Sequence, residues 1–116
     1  MKEVIKMPSD NSLYSGDMTM LILKLLENKD MYGYEMIETL QINSNNMFQF
    51  KAGTLYPLLH TLVNQNYLNC CEKEANGKIR KYYSLTSQGK KLLQDKTSIW
   101  KKYVKTMASV LEVEVY

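Results

Sequence analysis

Residues 51–85 read KAGTLYPLLHTLVNQNYLNCCEKEANGKIRKYYSL, and the fold turns on a change of period inside them. Leu55, Leu58, Leu59, Leu62 and Val63 recur at the three- and four-residue spacing of one helix face. From Leu68 to Glu74 and from Ile79 to Leu85 the runs become strand-like. Asn76-Gly77 between them is the strongest short-range hairpin signal a sequence carries. Proline is tolerated in the first turn of a helix, where its missing N–H has no intrahelical partner to lose. With Thr54 as the cap, Pro57 therefore predicts a helix from about Thr54 to Asn66.

Upstream, Met18, Leu21, Ile22, Leu25 and Leu26 form a helical stripe that Ser15 or Asp17 can cap and Asn28-Lys29-Asp30 ends. A second helix is expected from about Tyr32 to Gln41, burying Met36, Ile37 and Leu40. Asn43-Ser44-Asn45-Asn46 is a turn by composition. Downstream, Thr86 is a good N-cap for a final helix over Ser87 to Glu112, roughly 39 Å long at 1.5 Å per residue. The order is helix, helix, helix, hairpin, long helix. This is a mainly α (α+β) chain with the winged helix-turn-helix arrangement: the second and third helices form the DNA-reading pair and the hairpin is the wing. Residues 1–13, polar and containing Pro8, are expected to be a loose arm. Residues 14–86 are expected to be the DNA-binding domain and 87–116 a dimerisation helix.

Charge supports a polyanion partner. Residues 1–50 hold four Lys and seven Asp/Glu, a balance of −3, whereas residues 51–116 hold eleven Lys/Arg and five Asp/Glu, a balance of +6. Groove reading needs donors on a helix face and flanking cations on phosphates. The third helix offers Lys51 ahead of its start, then Thr54, Tyr56, Pro57, His60, Thr61 and Asn64 away from the leucines. The wing adds Lys78, Arg80 and Lys81. Solvated outer positions on the helix and a lysine-defended edge strand would look similar one at a time; the combination favours DNA.

Other chemistry is poorly supported. Cys70 and Cys71 are the only cysteines and His60 the only histidine, so a zinc site of the usual Cys/His kind cannot be built within one chain. Adjacent cysteines on a strand point to opposite faces, which fits reduced, small apolar side chains. No Ser-His-Asp or Cys-His grouping and no phosphate-cradling glycine loop stands out, so no enzyme and no cofactor is expected. No stretch approaches the roughly 20 apolar residues of a membrane span, and no secretory signal is evident; the protein is expected in the cytoplasm, with no membrane partner.

The last helix carries Leu93, Lys96, Trp100, Tyr103 with Val104, Met107, and Val110 with Leu111 at heptad-like spacing. So long a helix cannot cover its apolar side within a chain this small, and pairing with a second copy is the economical solution. Trp100 on that stripe has two readings, an anchor of the dimer core or a flat plate lining a cavity.

Tyr32-Gly33-Tyr34-Glu35, then Gly53-Thr54-Leu55-Tyr56-Pro57-Leu58-Leu59-His60, then Arg80-Lys81-Tyr82-Tyr83-Ser84-Leu85-Thr86 with Gly89, resemble the hallmarks of the PadR family of transcriptional regulators. The resemblance runs from about Leu13 to Leu111. It implies a homodimeric repressor, paired through its N- and C-terminal helices, that binds a pseudo-palindromic operator in double-stranded DNA and leaves it on binding a small molecule. Tyr34 joins the expected DNA-contacting set. The short chain is similar to the small subfamily that includes multidrug sensors, in which a tryptophan of the last helix stacks on flat aromatic molecules at the dimer interface. Trp100 falls at the matching place, which gives an expected ligand set of Trp100, Leu93, Lys96, Tyr103 and Met107 with Met20 of the first helix. Two positions depart from the family pattern: Tyr32 stands where a histidine is usual, and Lys51-Ala52 where Ser-Pro is common. The rival reading from another class is a winged-helix protein–protein interaction module without sequence-specific DNA binding.

Overall fold

A computed structural model describes residues 15–114. The chain runs α1 (Ser15–Leu26), β1 (Met31–Tyr32), α2 (Gly33–Asn43), α3 (Ala52–Asn64), β2 (Leu68–Ala75), β3 (Lys78–Leu85) and α4 (Ser87–Leu111). This is a winged-helix fold: three short helices, an antiparallel hairpin and a long last helix. The arm expected over residues 1–13 lies outside the described residues.

α1 is the centre of the packing. Met18, Ile22, Leu23, Leu25 and Leu26 are all buried, because α2, α4 and β3 approach it from different sides. The expected stripe is thereby wider than one face, with Leu23 added and Leu21 only partly buried. The helix begins at Ser15, so Asp17 stands in its first turn, where the helix dipole favours a carboxylate. Met31, Met36, Leu40, Phe50, Leu55, Leu59, Leu62, Leu68, Tyr83 and Leu93 complete one continuous core, with Ile37 at its margin.

β3 is the middle strand of a three-stranded sheet in the order β1-β3-β2. Leu68 pairs with Leu85 at the base of the hairpin and Ala75 with Lys78 at its tip. Asn76 and Gly77 both take left-handed backbone, φ 54° and 77°, as the two-residue type I′ turn demands. β1, pairing Met31 with Tyr83 and Tyr32 with Tyr82, was not expected. Two residues are too short for any periodicity, and only the long-range pairing defines them.

Three expectations about α3 are corrected. The helix starts at Ala52, with Lys51 at the cap position, because the Lys51 carbonyl accepts from the N–H groups of Thr54 and Leu55 at 3.0 and 2.8 Å and so turns Leu55 into the core. Thr54 is thus a first-turn residue and does not cap. Pro57 is the sixth residue, inside the helix, and has no N–H to give to the Gly53 carbonyl. Both residues are exposed, so water can satisfy that carbonyl. The helix also ends at Asn64, two residues earlier than expected.

Thr86 does cap α4: its hydroxyl oxygen accepts from the Gly89 N–H at 2.9 Å and donates to the Asn66 carbonyl at 2.7 Å. Gly89 is buried, and an added Cβ would collide with the Tyr67 carbonyl oxygen. The cap and the glycine together press the start of α4 onto the turn that leaves α3. From there α4 runs 25 residues, about 37 Å. Only its beginning is covered. Leu93 is buried, whereas Trp100, Tyr103, Met107, Val110 and Leu111 are exposed.

Candidate nucleic-acid interface

The start of α2, the outer side of α3 and strand β3 enclose an open hollow of about 580 Å³. Tyr34, Tyr56, His60, Lys78, Arg80 and Lys81 line it, six of the residues expected to touch DNA. Tyr32, Gly33 and Tyr83 complete the wall and were not in that set. The signal for Gly33 lay in its motif: a glycine beside aromatic residues often marks a close approach. Here a Cβ on Gly33 would stand 2.6 to 2.8 Å from the Tyr56 ring. Tyr56 therefore lies across the first residue of α2, over the corner between the two helices.

On α3, Tyr56 and His60 are one turn apart and form the row facing the wing. Pro57, Thr61 and Asn64 form a second exposed row, with Lys51 and Thr54 exposed at the N-terminal end. These five lie outside the hollow. Thr61 donates its hydroxyl proton to the Pro57 carbonyl at 3.1 Å, so it presents an acceptor more readily than a donor.

The outer face of the sheet carries a ladder of rings and cations. Tyr32 and Tyr82 meet edge to face, 5.4 Å between centroids at 73°. The Arg80 guanidinium lies 4.3 Å from the Tyr32 ring centre. At the other end the Lys73 ammonium is 5.2 Å from the Tyr82 ring centre and 3.5 Å from the Asp30 carboxylate.

Titration is perturbed at three places beside this surface. Burial pushes the Tyr83 hydroxyl up, helped by the neighbouring Cys70 thiol. A hydrogen bond to Glu38 raises exposed Tyr34. Lys29, 2.6 Å from Glu35, is raised by that hydrogen bond and its charge. Both cysteine thiols are exposed.

The expected ligand residues gather elsewhere, between α1 and α4. Met20, Leu21, Phe48, Leu93 and Trp100 line an apolar hollow of about 310 Å³ with Asp17, Lys24 and Thr97 at its rim. On the other side of Trp100 a more open groove is lined by Met20, Lys96, Ile99 and Tyr103. Met107, one turn beyond Tyr103, is exposed and outside both. Phe48, which reaches the hollow from the α2–α3 connection, was not foreseen. Among the described residues no helix is long and apolar enough to cross a membrane, and no group of three or more His, Cys, Asp or Glu side chains is placed to hold a metal ion.

The sequence model of the Transcriptional regulator PadR-like family matches residues 22–95. A PadR family transcription regulator from hypervirulent Clostridium difficile R20291 superposes with a TM-score of 0.70 at 35% identity, covering 80% of this chain and 96% of that one. A transcriptional regulator from Clostridium thermocellum gives 0.75 at 30% identity, covering 81% and 92%. Transcriptional regulator YqjI of Escherichia coli K12 is 29% identical over 80 residues, 69% of this chain but only 37% of that protein. The matched span runs from the middle of α1 into α4 and takes in the whole hollow between α2, α3 and the wing, so the chain belongs to the PadR-like family of transcriptional regulators.

Proposed function

We propose that this protein is a dimeric transcriptional repressor that grips operator DNA between α3 and the wing and releases it when a flat aromatic molecule occupies the α1–α4 side. The observation that carries the reading is the convergence of Tyr56 and His60 from α3 with Lys78, Arg80 and Lys81 from β3 on one open hollow. A helix face with donors set beside cations is the arrangement that reads base edges while holding phosphates. Tyr34, Tyr56, His60, Thr54, Thr61 and Asn64 face the bases and sugars in this reading. Lys51, Lys78, Arg80 and Lys81 take phosphates, and Pro57 shapes the outer row. Residues 14–86 act as the DNA-binding domain and 87–116 as the dimerisation helix.

The exposed stripe from Trp100 to Leu111 supports pairing with a second copy through α4 and α1. Trp100, with Met20 and Leu93 on one side and Lys96 and Tyr103 on the other, supports a plate for a planar ligand. Met107 would join that site only when a second α4 lies alongside.

Fluorescence anisotropy with a labelled duplex from upstream of its own gene, against random duplex of equal length, tests the repressor reading. Preference for the upstream duplex at moderate salt is expected, with affinity falling steeply as salt rises. Equal affinity for both duplexes sinks the reading. For the ligand, a flat aromatic cation should quench Trp100, and its binding measured by calorimetry should be weakened in Trp100→Ala; unchanged binding in the variant sinks the ligand reading.

A further inference from the structure

The cations around the hollow are held differently. Lys78 and Lys81 are exposed on flexible stems, whereas Arg80 is half-buried with its guanidinium 4.3 Å from the Tyr32 ring centre. Tyr32 is itself fixed. Its backbone pairs with Tyr82 in the sheet, and the Tyr82 ring meets its edge. The strand register also places Lys73 directly opposite Arg80, a repulsive pairing. Lys73 turns instead to Asp30 and Tyr82. Arg80 is left to the far end of the ladder, beside the hollow that it and Tyr32 both line.

We propose that Tyr32 is a positioning residue for Arg80: its ring holds the guanidinium flat, so that the in-plane N–H groups meet a backbone phosphate of bound duplex as a preformed fork. This rests on the DNA-binding reading above. The face of a guanidinium stacks on a ring while its edge keeps the donors that match two phosphate oxygens. An arginine held this way loses less side-chain freedom on binding than the free lysines beside it. Because the ring sits one residue before α2, the phosphate contact is referenced to the helix pair, and it sets the register of α3 in the groove. A lysine at position 80 keeps the charge but neither the stacking geometry nor the fork.

Duplex binding by the full chain tests this, with melting temperature recorded for every variant. Tyr32→Leu is expected to weaken binding to the upstream duplex about three- to tenfold, the range of a partly desolvated cation–ring contact. Tyr32→Phe, which keeps the ring, should bind as the parent does. Arg80→Ala should weaken binding more and lower the salt slope by about one. Adding Tyr32→Leu to Arg80→Ala should change nothing further, since the ring acts only through the arginine. Arg80→Lys should lose at least as much as Tyr32→Leu. If Tyr32→Leu fails to fold, Tyr32→Phe and Arg80→Lys carry the test alone. Additive losses in the double variant, Tyr32→Phe as damaging as Tyr32→Leu, or Arg80→Lys equal to the parent would each overturn the proposal. If Arg80→Ala weakens binding while Tyr32→Leu does not, only this inference fails. If the parent shows no preference for the upstream duplex, the DNA-binding reading fails first.

Discussion

Changing Gly33 or Gly89 to alanine adds the same methyl group near the start of a helix, yet the two variants should fail in opposite ways. At Gly89 the new Cβ runs into backbone, the Tyr67 carbonyl oxygen, with that carbonyl's carbon at 3.2 Å and Leu85 Cδ2 at 3.1 Å. That carbonyl accepts from the Thr86 N–H at 3.2 Å, so relieving the clash pulls on the cap of α4. Overpacking of this kind costs about 1–3 kcal/mol and a damaged cap about 1 kcal/mol, against a helix-propensity gain of at most about 1 kcal/mol. The net loss is about 2 kcal/mol, a fall in melting temperature of roughly 8–12 °C for a chain of this size. At Gly33 the atoms met, at 2.6 to 2.8 Å, are the far end of the Tyr56 ring. Tyr56 is 46% exposed and can swing out, so melting should change by no more than about 3 °C. The displaced ring leaves the hollow, and discrimination between upstream and random duplex should drop several-fold. Circular-dichroism melts and duplex anisotropy on both variants check this. A Gly33→Ala protein that melts lower than Gly89→Ala, or one that discriminates normally, refutes the reasoning.

Three further outcomes are expected. Thr86→Ala should cost about 1–2 kcal/mol by denaturant titration, since it removes a cap acceptor and a donor to Asn66 together, and Thr86→Ser should recover most of it. Val110→Glu, at a position 75% exposed in one chain, should shift the sedimentation of the protein toward monomer, because a seam between two copies would bury both carboxylates; an unchanged profile would exclude α4 as the seam. Burial raises the Tyr83 hydroxyl above its ordinary value near 10, so the folded chain keeps that proton longer than the unfolded one. The resulting stability is intact below that ordinary value and is lost as pH climbs through the folded one; Tyr83→Phe should flatten this alkaline loss in pH-dependent melts.

What the sequence disclosed divides along a physical line. Helix faces and the hairpin were legible because periodicity and the Asn76-Gly77 turn act over a few residues. The Thr86 cap was legible for the same reason. The start of α3 was misplaced because two local rules, a threonine cap and an early proline, agreed with each other against the packing of Leu55. Burying that side chain draws the Lys51 carbonyl into the first helical bonds, and an exposed Gly53 carbonyl tolerates Pro57 in the second turn.

The hollow shows the other side of that line. Its cations and its α3 residues could be named from charge and face, but the surfaces that hold them could not. Tyr32 reaches Arg80 only through a strand of two residues paired across a separation of fifty. Phe48 shares a hollow with Trp100 only because the α2–α3 connection folds back toward α1 and α4. In both cases the foreseen residue is one that a single element presents, and the unforeseen one belongs to a second element that lies beside it. Such partners carry no period, and their trace in a sequence is an aromatic or a glycine with no local role, as at Tyr32-Gly33. The residue types of this surface were therefore readable in outline, while the contacts that stiffen it, Tyr32 against Arg80 above all, are a property of the tertiary structure.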